Sequence, residues 1–134
     1  MPRIDKYRGK TKEELASYQM DDMLPLLTSR ARRTVKRASS SKSIEVKKLM
    51  KKVSKIKATN PAKVIKTHVR EAVVIPDWLG LTFGVHNGKE FKSVFISIDK
   101  LGYRLGDFAH STGRVLHSGP GVGATRGSKF IPLK

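Results

Sequence analysis

The sequence predicts an α+β fold: a small sheet with a β-hairpin packed with an amphipathic helix, preceded by a basic helical N-terminal extension and followed by an extended C-terminal tail. Three observations carry that prediction. Between Ile44 and Ile56, the residues Val46, Leu49, Met50 and Val53 recur at the i, i+3, i+4, i+7 spacing of one helix face. Between Leu81 and Ile98, two stretches of apolar alternation flank Asn87-Gly88, a pair suited to a tight hairpin turn. The charge is also uneven, since residues 1–57 hold 17 Lys/Arg and 6 Asp/Glu, residues 58–109 hold 7 and 5, and residues 110–134 hold 4 basic residues and no acid. The nearly balanced middle is rich in β-branched and aromatic residues and is the expected core. The expected divisions are 1–43 for the extension, 44–111 for the core domain and 112–134 for the tail.

Each element has its own local signal. Thr11 and Glu14 fit a capping box, in which hydroxyl and carboxylate satisfy early amides of a short helix. Asp21 and Asp22 suit a second helix start, where their charge meets the positive end of the dipole and Pro25 is tolerated in the first turn. A third, basic segment from Ser29 to Arg37 gathers Arg30, Arg32, Arg33, Lys36 and Arg37, followed by a loop at Ser39, Ser40 and Ser41. In the helix that starts at Ile44, Lys48, Lys51, Lys52 and Lys55 fall opposite the apolar face. A solvated surface is the ordinary reading of such lysines. With only Glu45 nearby, however, they repel one another unless an external anion is present, which favours a phosphate-facing helix.

Asn60-Pro61 ends that helix, and Val64 to Val69 and Ala72 to Ile75 read as strand-like stretches. In the hairpin, Asn87-Gly88 would supply the positive φ angles of a type I′ turn. A two-residue loop would pair Val85 with Glu90 and Phe83 with Lys92, setting charges opposite apolar side chains, so a bulge or a longer loop is the alternative. The Gly- and Ser-containing end, basic and free of acids, reads as an extended tail.

Composition narrows the function. The formal net charge is +17 and the sequence pI is about 10.5, which implies a polyanionic partner. There are no cysteines, so disulfides, thiolate zinc sites and cysteine nucleophiles are excluded together. His68, His86, His110 and His117 do not fall on one helix face, and no metal site is expected. No apolar run approaches the roughly 20 residues of a membrane span, and Met1 to Lys10 has no apolar block of a secretory signal, so a cytoplasmic protein is expected. The tail glycines Gly119, Gly121, Gly123 and Gly127 lack the Lys and the helix of a phosphate loop, and Arg126 stands where a dinucleotide fingerprint requires glycine. No nucleophile elbow, metalloprotease helix, RRM motif or GXXG loop occurs. The expectation is a nucleic-acid-binding protein that is not an enzyme and needs no cofactor.

One constellation is more specific. Val85-His86-Asn87-Gly88-Lys89 is followed by Ile96, by Leu101-Gly102-Tyr103-Arg104-Leu105-Gly106-Asp107-Phe108 and by Ser111. Upstream stand Ile65-Lys66-Thr67 with Arg70, and Ile75-Pro76 with Gly80. This pattern, over residues 65 to 111, resembles the universal family of small-subunit ribosomal protein nineteen. Lys66-Thr67-His68-Val69-Arg70-Glu71, the basic N-terminal extension, Gly119 to Thr125 and the ending Lys129 to Lys134 resemble its archaeal and eukaryotic branch.

The resemblance implies a structural constituent of the small ribosomal subunit, bound in the head to the 3′ domain of the rRNA. It also implies small-subunit protein thirteen and other head proteins as neighbours, with the C-terminal tail near the decoding site and tRNA. The residues expected at rRNA are Arg30, Arg32, Arg33, Lys36 and Arg37, the α-helical Lys48, Lys51, Lys52 and Lys55, then Lys66, Thr67 and Arg70, the hairpin residues His86, Asn87 and Lys89, and Arg104. Arg114, Arg126 and Lys129 are expected in the tRNA-proximal tail. Gly102, Gly106 and Phe108 are expected to serve conformation and packing, and Trp78 and Leu79 the core or a partner contact. The competing reading from charge alone is a free nucleic-acid-binding or DNA-compacting protein.

Overall fold

The computed structural model describes residues 6–40 and 42–114. Four helices come first, α1 (Lys12–Ser17), α2 (Met20–Met23), α3 (Ser29–Ser39) and α4 (Ile44–Thr59), followed by a sheet of β1 (Ile65–Thr67), β2 (Thr82–His86) and β3 (Phe91–Phe95). The architecture is therefore α+β, with strand order β1-β2-β3.

The helix starts follow from capping chemistry. Thr11 Oγ1 accepts from the Glu14 amide at 3.4 Å, and Glu14 Oε2 accepts from the Thr11 amide at 3.1 Å. The Asp22 carboxylate likewise accepts from the Gln19 amide ahead of α2. That helix lasts one turn only. Pro25 therefore lies in the 3₁₀ turn Leu24–Leu26 that follows, and not in the first turn of the second helix.

The basic segment after it is a longer helix than its charges suggest. In α3, Ala31, Val35 and Ala38 recur at i, i+4, i+7 and are buried. The helix runs through Ser39, although the serine run there reads as a loop in sequence. Along α4, Val46, Leu49 and Val53 are buried, Met50 and Ile56 are half-buried, and the four lysines face outward. The helix stops at Thr59, ahead of Asn60, because a residue before proline avoids the α region.

The core is one cluster. Leu15, Met23, Leu27, Ala31, Val35 and Ala38 pack into the same buried set as Ile65, Phe83, Val94 and Leu105. The segment read as an N-terminal extension thus supplies a wall of the core. Trp78 belongs to that core at 2% exposure, with its ring 5.0 Å from that of Phe83.

β1 runs parallel to β2, with Ile65 beside Phe83 and Thr67 beside Val85. β2 and β3 form the hairpin, pairing Phe83 with Val94, Val85 with Lys92 and His86 with Phe91. The loop is therefore four residues long, Asn87 to Glu90, and this register sets buried Val94 opposite Phe83. A type I′ turn does not form. Gly88 alone has a positive φ, 104°, and Asn87 Oδ1 closes the loop by accepting from the amides of Lys89 and Glu90.

The expected strand from Ala72 to Ile75 is not part of this sheet. It lies extended against the glycine signature, where Val73 makes a single bridge with Arg104. The Val74 amide donates to the Tyr103 carbonyl, and the amides of Gly102, Leu105 and Gly106 donate to the carbonyls of Val74, Ala72 and Arg70. Gly102 has φ +78°, and a Cβ there would lie 2.6 Å from the Tyr7 hydroxyl. Both backbone strain and the Tyr7 contact oppose any side chain.

Replacing Gly102 by Ala is expected to destabilise the fold by about 1–3 kcal/mol. Urea unfolding of the full-length protein measures this, and an unchanged midpoint would show that the left-handed turn is no constraint.

Candidate nucleic-acid interface

Some of the cations expected at RNA also hold the protein's own backbone. Arg70 is engaged. It is half-buried, and its guanidinium donates to the carbonyls of His86 at 2.6 Å, Gly106 at 3.0 Å and Ala109. Arginine suits this place because its planar fork presents several donors at once and stays charged. Thr67 is buried and its hydroxyl accepts from the Val69 amide. Arg32, also half-buried, donates from Nε to the Leu24 carbonyl at 2.9 Å and from Nη2 to those of Leu27 and Pro25. Lys52 Nζ donates to the Lys66 carbonyl at 2.9 Å. These four residues, expected at rRNA from the sequence, hold the protein's own backbone.

The other arginines of α3 point away from the core, and tertiary structure adds to them. Ser29, Arg30, Arg33, Thr34 and Arg37 line a groove of about 490 Å³ together with Arg104, which comes from the glycine signature far along the chain. The bridge to Val73 and the hydrogen bond from its amide to Asp107 Oδ2, 3.0 Å, set the backbone of Arg104. No carboxylate lines this groove. Around the flank of α3, Arg33 and Arg37 join Arg32, Lys36 and Lys42 in a second groove of about 510 Å³, also without an acid. Beyond Arg30 and Arg104, Arg8 lines a cleft of about 310 Å³ with Tyr7 and Tyr103. Sequence reasoning missed Arg8, since nothing local links the turn Tyr7–Lys10 to Gly102 or Arg104.

A separate basic groove, about 320 Å³, lies between α4 and β1 and brings together Lys48, Lys52, Lys66 and His68, with Glu45 also in its lining. Lys51 and Lys55 are exposed elsewhere on α4 and do not line it. At the hairpin tip, His86 Nδ1 accepts from the Gly88 amide at 3.1 Å, which leaves the neutral ring's proton on Nε2. Asn87 uses its carbonyl oxygen on the loop, and its NH₂ group and the Lys89 ammonium are further donors at the tip. Arg114 is exposed at the end of the described residues, while Arg126 and Lys129 lie outside them.

Among the described residues no group of three or more His, Cys, Asp or Glu could hold a metal ion, and no helix is long and apolar enough to cross a membrane. A core framed by helices and a three-stranded sheet, with its cations gathered into acid-poor grooves, defines a scaffold for binding a polyanion. The family model for ribosomal protein S19 matches residues 33–117 of the chain. The small ribosomal subunit protein uS19 of Methanococcus maripaludis is 42% identical over 133 residues, a match that covers 96% of this chain and 81% of that protein. The chain belongs to the ribosomal protein S19 family.

Replacing Arg70 by Met is expected to cost roughly 2–4 kcal/mol, because three carbonyls lose a charged donor, whereas Arg33→Gln should stay within about 0.5 kcal/mol. Denaturant titration of the two variants side by side separates the structural arginine from the outward one, and equal stabilities would refute the distinction.

Proposed function

We propose that this chain is a structural constituent of the small ribosomal subunit that binds small-subunit rRNA and supports translation in the cytoplasm. The observation that carries the reading is the acid-free groove in which Arg104, from the family's signature segment, meets Arg30, Arg33 and Arg37 of α3. Guanidinium groups match phosphate oxygens bidentately, and several on one concave surface can follow the backbone of a folded RNA without reading its sequence. Lys36 and Lys42 on the flank of α3, Lys48 and Lys66 in the groove beside β1, and Lys89 at the hairpin tip extend that surface. The protein acts by neutralising phosphates and fixing RNA shape, with no catalytic step and no cofactor.

The match to a protein named for the small ribosomal subunit supports placement there. In this reading the chain lies in the head, over the 3′ domain of the rRNA and next to small-subunit protein thirteen, as the family resemblance implies. In the same reading Arg114, Arg126 and Lys129 belong to a tail that approaches the decoding site and tRNA.

Sedimentation decides the placement. The protein is expected in purified small subunits on a gradient, and its absence from them with recovery on bulk DNA would make it a free DNA-compacting protein. Replacing Arg30, Arg33, Arg37 and Arg104 together by Gln is expected to weaken RNA binding uniformly across sequences. The salt slope should fall by roughly 0.7–0.9 for each phosphate that the variant no longer neutralises. A wild-type slope in that variant would take the groove out of the interface.

A further inference from the structure

The phosphate-binding grooves leave the open face of the sheet without a role except at its β1 edge, where Lys66 also lines the groove beside α4. Alternation along β2 and β3 puts Thr82, His86, Phe91, Ser93 and Phe95 on the face opposite Phe83, Val85 and Val94. Lys66 joins them from β1, beside Gly84. A solvent-facing strand position ordinarily carries a polar residue. Here Phe91 is 38% exposed and Phe95 is 56% exposed. Four residues apart on one strand, they set two flat apolar groups roughly 13–14 Å apart.

The surroundings of Phe91 are aromatic and basic. The rings of His68 and His86 lie 4.5 Å apart, and they approach the Phe91 ring at 5.1 and 4.9 Å. Lys66 Nζ stands 5.4 Å from the Phe91 ring centroid. Gly84 forms the floor between them, since a Cβ there would meet Lys66 Cγ at 3.3 Å and Phe91 Cβ at 3.6 Å. None of the residues on this face is a carboxylate.

We propose that this face is a stacking platform for unpaired bases of single-stranded RNA, with Phe91 and Phe95 as the stacking rings and Lys66 meeting the phosphate between them. The inference rests on the RNA-binding reading above and adds a second mode to it, base stacking beside phosphate neutralisation. Aromatic side chains hold bases with little regard to sequence because every base has a π face, whereas a duplex keeps those faces stacked on one another. A nucleic-acid strand supplies both of the things this face complements, flat apolar rings and negative charge. An apolar protein surface supplies only the first, and covering Lys66 with it would strip water from an ammonium without a counter-charge.

The test uses the full-length protein with two probes, a single-stranded RNA oligonucleotide and an RNA duplex of equal length. Changing Phe91→Leu together with Phe95→Leu is expected to weaken single-strand binding about tenfold or more, with duplex binding within about twofold. The pair Phe91→Tyr and Phe95→Tyr, which keeps both rings, should bind as wild type does. Emission from Trp78, buried beneath the sheet, reports whether each variant folds. If the leucine pair folds and binds the single strand normally, the stacking proposal is wrong while the broader reading stands. Should that variant also fail to enter small subunits, the face docks a protein instead. Equal losses in the leucine and tyrosine pairs overturn the proposal too, because the ring is then not what matters. A wild-type protein that binds neither probe removes the RNA-binding reading and this inference with it.

Discussion

Arg70 sits where three parts of the chain end, and its guanidinium joins them. It donates to the carbonyl of His86, the last residue of β2, to that of Gly106 in the signature segment, and to that of Ala109 just beyond. A carbonyl left dry and unpaired costs about 1–3 kcal/mol, and of these three that of Gly106 also accepts from the Ala109 amide at 3.3 Å. Gly106 is part of the same arrangement. A Cβ at that position would come within 3.1 Å of Arg70 Cβ and of its carbonyl oxygen, so the glycine lets the signature segment lie directly on the arginine. With Gly102 to Gly106 held against Arg70 to Val74 by backbone hydrogen bonds, Arg104 is carried to the groove beside α3. One outward arginine, Arg104, therefore depends on an inward one.

The same division runs through the other cations. A chain with 28 basic and 11 acidic residues has too few carboxylates to pair its charges internally. Backbone carbonyls take that part. Arg32 donates to those of the turn before α3, Lys52 to that of Lys66, Lys57 to that of Asp77 and Lys100 to that of Phe95. Each such bond ties a helix or turn to its neighbour while leaving the net charge as it was. The field toward a polyanion is undiminished even where a particular cation is engaged, because long-range attraction depends on the sum of charges.

Much of the site was legible as composition and little of it as geometry. The arginines of α3 and the lysines of α4 were visible as charge runs, and the signature from Val85 to Ser111 pointed to the family. The run could not reveal that Arg32 turns inward while Arg30 and Arg33 do not, since all three look alike in sequence. α3 itself was readable in principle. Its buried residues are Ala31, Val35 and Ala38, two of which are alanines that give a weak apolar signal among so many charges. The open face of the sheet was hidden for a different reason: exposure of Phe91 and Phe95 depends on register, and the hairpin register was the least determined feature of the sequence.

What the sequence determined by itself is local. The capping box at Thr11, the apolar stripe of α4, the stop before Pro61 and the place of the hairpin depend on residues a few positions apart, where helix and strand periods act, and the partition of charge is a count along the chain. Tertiary structure decided the rest, because those outcomes depend on partners far along the chain. Among them are the four-residue hairpin loop, the pairing of Val73 with Arg104 in place of a fourth strand, and the burial of the N-terminal helices in the common core. The reach of Arg70 to Ala109 spans 39 residues, and no period in the sequence connects an arginine to a carbonyl at that distance.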